Sequence, residues 1–131
     1  MTDLKTKLKI ESWDEKPYRE LPDGTKFTRA EVALSGTGDA ISSATFEGLM
    51  YYRADGTSSY VTLMRLEATL DGRTGALVLR GPGAFDGTTA RGTFEVVAGT
   101  GGLEGVTGTA ESESTHADYP FMPLTVTYTM A

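Results

Sequence analysis

The residue best suited to chemistry is Glu47, the one carboxylate that the strand pattern places on an inner face. Among Leu49, Met64 and Leu79 such a side chain would lose hydration, which brings its neutral form within reach near pH 7. A carboxyl group in that state can act as general acid or base. A polyene, epoxide or enone could be protonated or deprotonated there and cyclise, with apolar walls holding its folded shape. Glu47 could equally lie at a mouth in water, or pair with an arginine or a tyrosine hydroxyl, as structural carboxylates do. The direction in which Glu47 points decides between these readings.

The other reactive residue types form no constellation. Tyr51 and Tyr60 fall opposite each other, either as ligand hydrogen-bond donors or as an aromatic cross-strand pair. Trp13, the single tryptophan, would cap one end and touch a ligand, or serve as core. His116 is the only histidine, in a polar loop beside Asp118. No nucleophile sits at a readable spacing from it, so no triad can be argued, and no carboxylates cluster with it to hold a metal. Gly99-Thr100-Gly101-Gly102-Leu103 suggests a phosphate loop, but no helix and no lysine follow. An irregular turn between strands fits better. Lys5, Lys7 and Lys9 recur at every second position, the pattern of a solvated strand face or a protected edge.

The elements that must position these residues are four strands between Thr45 and Val97, joined at Ala54-Asp55-Gly56-Thr57, Asp71-Gly72 and Asp86-Gly87. Asp-Gly between alternating runs is a strong hairpin signal, because glycine supplies φ > 0 without steric cost. With Arg53 opposite Ser58, Tyr51 faces Tyr60 and Glu47 faces Met64. With Leu70 opposite Arg73, Leu66 faces Leu77 and Met64 faces Leu79. With Phe85 opposite Thr88, Leu79 faces Phe94 and Leu77 faces Val96. One face then carries Glu47, Leu49, Tyr51, Tyr60, Thr62, Met64, Leu66, Leu70, Leu77, Leu79, Phe94 and Val96. The other carries Arg65, Glu67, Arg80, Arg91, Thr93 and Glu95, so the sheet reads apolar inside and polar outside. Val61, Leu63 and Val78 fall on the polar side and point to a partner surface, with a homo-oligomer as the expectation.

Before this series, Leu4 to Trp13 alternates as a half-buried strand that Pro17 ends, and Thr25 to Ser35 forms a second. Pro82 predicts a bulge or bend after Gly81. Leu124 to Met130, with Tyr128 on its apolar side, is the last strand. The count is about eight strands without a helix, at the spacing of a barrel or sandwich. Eight is also the number at which a closed barrel can just hold one small ligand.

A chain of 131 residues suits a single domain, residues 1–131, with a real core. There is no cysteine, hence no disulfide framework or thiolate metal site. Eighteen acidic against twelve basic residues, net −6, argue against nucleic acid as a partner. No apolar run approaches the ~20 residues of a membrane span. No apolar leader follows Met1, so a cytoplasmic location is expected.

Several motifs together carry a resemblance to a known family. They are Trp13-Asp14-Glu15-Lys16-Pro17-Tyr18, Leu49-Met50, Tyr52-Arg53-Ala54-Asp55-Gly56-Thr57, Asp71-Gly72-Arg73-Thr74-Gly75 and Gly83-Ala84-Phe85-Asp86-Gly87. The glycine loop Gly99 to Leu103, followed by Gly108, continues them. In these the chain resembles a family of small bacterial proteins of unknown function with an allene oxide cyclase-like, calycin-type barrel. The resemblance implies an antiparallel closed barrel. It departs from the family pattern at Met64, where an acidic residue is usual, and at Gly81, where a histidine is. An interior without those groups suits a hydrophobic guest.

Three functional expectations follow. The first is a cofactor-free cyclase or isomerase acting on a small hydrophobic substrate, with Glu47 as acid/base. The second is a non-catalytic carrier of a small lipophilic molecule, using the same interior. For both, the ligand-lining residues are Trp13, Leu49, Tyr51, Tyr60, Thr62, Met64, Leu66, Leu79, Phe94 and Tyr128, with no metal and no cofactor. The third is a barrel packed solid, with a structural or interaction role.

Overall fold

The computed structural model describes all of residues 1–131. Eight antiparallel strands follow one another around a ring: β1 (Thr2–Glu20), β2 (Lys26–Gly36), β3 (Ile41–Tyr52), β4 (Ser58–Leu70), β5 (Arg73–Phe85), β6 (Thr89–Gly101), β7 (Thr107–Thr115) and β8 (Phe121–Thr129). No helix is long and apolar enough to cross a membrane.

The strand order is circular, with β1 beside both β2 and β8. The ladder is not closed along its whole height, however. β1 pairs with β8 only over Thr2 to Lys9, and with β2 from Leu8 to Glu20. β7 pairs with β8 only from Thr107 to Glu111. Beyond these points the second half of β1 and the second half of β7 have no common neighbour, and the wall parts there. The expected closed barrel is corrected accordingly: it is complete around one end only. Pro17 belongs to this free edge. It does not end the strand, as expected, but pairs opposite Thr28 just before a register shift, where its missing donor faces no partner strand.

Turn length decides which side chains point inward, because strand side chains alternate with period two. The Asp71-Gly72 corner behaves as predicted. Both residues have positive φ, 51° and 78°, and Leu70 pairs with Arg73, Leu66 with Leu77 and Met64 with Leu79. At the third corner Phe85 pairs with Ala90 rather than Thr88. That slip of two residues keeps every side chain on its predicted face, so Phe94 stays inside. At the first corner Tyr52, not Arg53, pairs with Ser58, giving a five-residue loop with Gly56 at φ 90°. That slip of one inverts β3. Ala44, Phe46, Gly48 and Met50 point inward; Glu47, Leu49 and Tyr51 point outward. A second inversion lies in β1, where an extra residue between Ile10 and Ser12 shifts the register. Trp13 and Glu15 thereby turn inward.

The core fills the closed end. Leu8, Met64, Leu66, Leu77, Leu79, Leu124 and Val126 are fully buried there. The glycine-rich segment after β6 is a turn, with Leu103 donating to the Thr100 carbonyl and Val106 to that of Leu103. The buried Leu103 side chain caps this end. The ladder from β5 to β6 breaks between Arg80 and Gly83 but resumes in the same register, and its one register shift lies between Val78 and Leu79, so the bulge expected after Gly81 is corrected to a local loss of pairing at Pro82.

The two leucines that sequence periodicity placed together separate in the structure: Leu79 is fully buried and Leu49 is 51% exposed. Leu79→Ala is expected to destabilise by about 2–5 kcal/mol, the cost of a core truncation. Leu49→Ala should change stability by no more than about 0.5 kcal/mol. Urea unfolding of the two variants checks the register; equal costs would contradict it.

Candidate functional site

At the end opposite the filled core, interior positions carry small residues. Tyr52, Ser58, Phe85, Ala90 and Ser114 pair across one level of the wall; Met50, Tyr60, Gly83, Gly92 and Ser112 pair across the next. The glycines and serines leave the middle unfilled. The result is a cavity of about 370 Å³, within the size range of small-molecule sites. Its walls include Trp13, Phe46, Met50, Tyr52, Tyr60, Phe94, Phe121 and Met122, and no charged residue lines it. Ile10, Trp13, Ser112, Ser114 and Tyr119 line the side where β1 and β7 part. Two larger hollows, of about 720 and 600 Å³, lie on the outer surface among outward-facing residues such as Arg80, Glu95, Glu31 and Arg65. Size alone does not make those sites, since neither is enclosed by apolar side chains.

Ser58, Thr62 and Ser112 are buried and line the cavity. No side-chain polar atom of the chain is both fully buried and unpartnered. Their hydroxyls, which enter none of the side-chain hydrogen bonds, therefore open onto the cavity. Tyr60 lies across Gly83. A Cβ there would stand 2.1 Å from the Tyr60 ring, so glycine is what lets this ring lie flat against the wall.

The inward-facing carboxylate is Glu15, not Glu47. Its Oε1 accepts from Trp13 Nε1 at 2.9 Å; its Oε2 accepts from Thr28 Oγ1 at 2.7 Å and from the Tyr52 hydroxyl at 2.6 Å. Three strands are joined through this one group. Burial alone would raise the Glu15 pKa, but the three hydrogen bonds and the Lys26 charge outweigh it and hold the pKa below the ordinary value. Glu15 is thus a stable carboxylate, not a proton donor at neutral pH. Burial and the adjacent Glu15 charge push the Tyr52 hydroxyl upward, so it keeps its proton. Aspartates fix the loops at this end. Asp23, Asp55 and Asp86 each accept from the backbone N–H of the residue two positions on, and Asp118 accepts from that of Thr115.

The predicted site residues divide accordingly. Trp13, Tyr60, Thr62 and Phe94 line the cavity. Met64, Leu66, Leu79 and Tyr128 are buried in the filled half. Leu49 lies outside, and Tyr51 stacks outside on Phe27 with ring centroids 5.0 Å apart rather than pairing with Tyr60. Glu47 also lies outside, its side chain 59% exposed and its Oε1 3.0 Å from Arg29 Nη2, which also pairs with Glu31. The cyclase or isomerase reading, which needed Glu47 among apolar neighbours, is overturned by that placement. His116 is exposed in the loop before β8, and no group of three or more His, Cys, Asp or Glu is placed to hold a metal. Sequence reasoning missed Glu15, Thr28, Met50, Tyr52, Ser58 and Ser112. A signal for Tyr52 and Met50 was present: Ala44, Phe46, Gly48, Met50 and Tyr52 alternate as cleanly as the opposite set.

The comparisons with known proteins agree with one another. The family model that matches, over residues 4–125, is described as a protein of unknown function, DUF3224. The chain is similar to the crystal structure of a protein of unknown function from the DUF3224 family of Shewanella oneidensis MR-1. Identity is 23%, 99% of each chain is covered, and the TM-score is 0.73. No curated protein matches. The allene oxide cyclase-like, calycin-type attribution is corrected by these matches, and the cyclase and isomerase chemistry attached to it has no support from them.

The Glu15 hub has a signed pH dependence. Its folded pKa lies below its ordinary value of 4.5, so its stabilisation is fully present above that pH. It is lost as pH falls through the folded value. The difference in melting temperature between the native protein and Glu15→Gln should therefore be largest near pH 7 and shrink in acid. Glu47→Gln, which removes only a surface pair, should stay within about 0.5 kcal/mol of the native protein at every pH. Melting curves from pH 7 to pH 2 check both; a constant Glu15→Gln difference would contradict the hub.

Proposed function

The chain belongs to the DUF3224 family, and we propose that it is a non-catalytic binding protein for a small lipophilic molecule held in the half-enclosed cavity. The observation that carries this reading is the partition of the interior. One half is filled with leucine, methionine and valine; the other carries glycine, alanine and serine at wall positions and leaves about 370 Å³. Empty apolar space costs stability, because its lining loses dispersion contacts. A guest that fills the space restores them.

The lining supports the class of guest. Aromatic and methionine side chains supply apolar area and adaptable contact. The absence of lining charge favours a neutral body, since an unpaired ion would be desolvated without compensation. The buried hydroxyls of Ser58, Thr62 and Ser112 add a few polar contacts that fix orientation. The part in the wall between β1 and β7 supplies a way in without unfolding a ladder. Assembly of copies would use the outward row of Leu49, Val61 and Leu63 on β3 and β4, all more than half exposed. Sedimentation of the native protein against Leu63→Lys reads that separately from binding.

Binding is tested by filling the space. Ser112→Leu places a branched side chain in the cavity from β7 and should weaken uptake of the neutral dye Nile red by about tenfold or more. Its stability should change by about 1 kcal/mol or less. Native mass spectrometry of the purified protein should also detect a bound apolar molecule, lost in Ser112→Leu. Equal dye binding by the two proteins would overturn the proposal.

A further inference from the structure

The wall parts between β1 and β7, in the sector of the ring that holds β8. In a ring of eight strands β4 stands opposite β8. A guest that enters through the opening therefore meets β4 at the far side. There β4 contributes two buried hydroxyls to the lining, Ser58 and Thr62. Thr62 Oγ1 lies on the inner side of the wall: it is 3.9 Å from where a Cβ on its inward-facing partner Gly48 would stand. No side-chain polar atom is both sealed off and unpartnered, so these two hydroxyls are reachable from the cavity. The large side chains at the opening are of another kind. Trp13, Tyr119 and Phe121 line it and remain 46%, 72% and 37% exposed. Phe121 stands at the last rung of the β1–β8 ladder, opposite Lys9. Trp13 is fixed there by its bond to Glu15 Oε1 and by its edge-to-face contact with Phe46. The β7 edge of the opening also carries Ser112 and Ser114.

We propose that the guest is a neutral amphiphile, an alcohol or carbonyl compound with one apolar tail, and that it binds head first. Its oxygen lies against Thr62 and Ser58, and its tail leaves over Trp13, Tyr119 and Phe121. The proposal rests on the binding reading above and adds the chemical class and the orientation. A serine or threonine hydroxyl rotates to donate or to accept, so the far wall serves a hydroxyl head and a carbonyl head alike. An ionised head finds no opposite charge on the lining and would be desolvated without compensation. A hydrocarbon leaves both hydroxyls facing apolar surface. The exposed rings lose contact with water only if something apolar extends past the interior, and the tail does so.

Trp13 is the only tryptophan, so its emission reports contact at the opening. Bromine quenches that emission at close range. The full chain is titrated with 1-octanol, octanoate, 8-bromo-1-octanol and 2-bromo-1-octanol, following Trp13 emission and the heat of binding. The 8-bromo compound carries its bromine at the tail end, the 2-bromo compound beside the head. At saturation the 8-bromo compound is expected to quench Trp13 more strongly than the 2-bromo compound. Octanol should bind about tenfold more tightly than octanoate at neutral pH. Combining Ser58→Ala with Thr62→Val removes both hydroxyls at little change of shape and should weaken octanol about tenfold. Ser112→Ala should leave octanol affinity within about twofold, which separates the far wall from the β7 edge. Equal or stronger quenching by the 2-bromo compound overturns the proposal, as does octanoate binding as tightly as octanol, or octanol affinity that survives loss of both hydroxyls. Should the double variant fail to fold, the two bromo compounds on the native protein decide alone. If no alcohol binds while Nile red does, the head class fails and the binding reading stands; if neither binds, both fail.

Discussion

The interior of an eight-stranded barrel has room for about one layer of side chains per level, so residue size at each level decides whether that level is solid or hollow. This chain uses both outcomes. Around Leu66 and Leu77 large buried side chains fill the interior beside the small Ala44. Around Gly83, Gly92 and Ser112 the inward positions are small, and the remaining aromatic rings lie along the wall instead of across it. The filled half supplies the hydrophobic stabilisation that a protein of this size needs. The hollow half depends on the filled half to exist.

A hollow end must be held open by something other than packing. Two devices do this. Each loop at that end is tied by an aspartate that accepts backbone N–H groups, so the rim is fixed by short local bonds. The wall itself is tied by Glu15, which gathers donors from β1, β2 and β3 at the stretch where β1 has lost its β8 neighbour. A half-buried carboxylate is tolerated there because three hydrogen bonds replace the hydration it loses. The arrangement suits a receptor more than a catalyst: the acid is fully engaged, and its proton affinity is lowered where acid catalysis would need it raised.

Much of this was legible in the sequence, and the misplaced faces have one cause. Strand number, antiparallel order and the β4–β5 pairing follow from alternation and from Asp71-Gly72, a two-residue corner that leaves no choice of register. The faces of β3 and of the second half of β1 were misread because parity is fragile. One extra residue in the loop after Tyr52 moved Glu47 outside. One extra residue near Glu11 moved Glu15 inside. Alternation could not settle either case, since Phe46, Met50 and Tyr52 look as much like an inner face as Leu49 and Tyr51 do. The slip of two at Asp86-Gly87 did no harm, because an even slip returns every side chain to its own side. The parting of the wall is a property of where ladders stop, which local pattern does not report.

The methionines offer the most direct measurement of the central claim, that one half of the interior is open to a guest and the other is solid. Met50 and Met122 line the cavity, whereas Met64 is buried in the filled half. With methyl-¹³C-labelled methionine, a titration with Nile red should shift the Met50 and Met122 methyl signals in a saturable way and leave Met64 in place. Saturable movement of Met64 together with the other two, or no movement of any, would contradict the account.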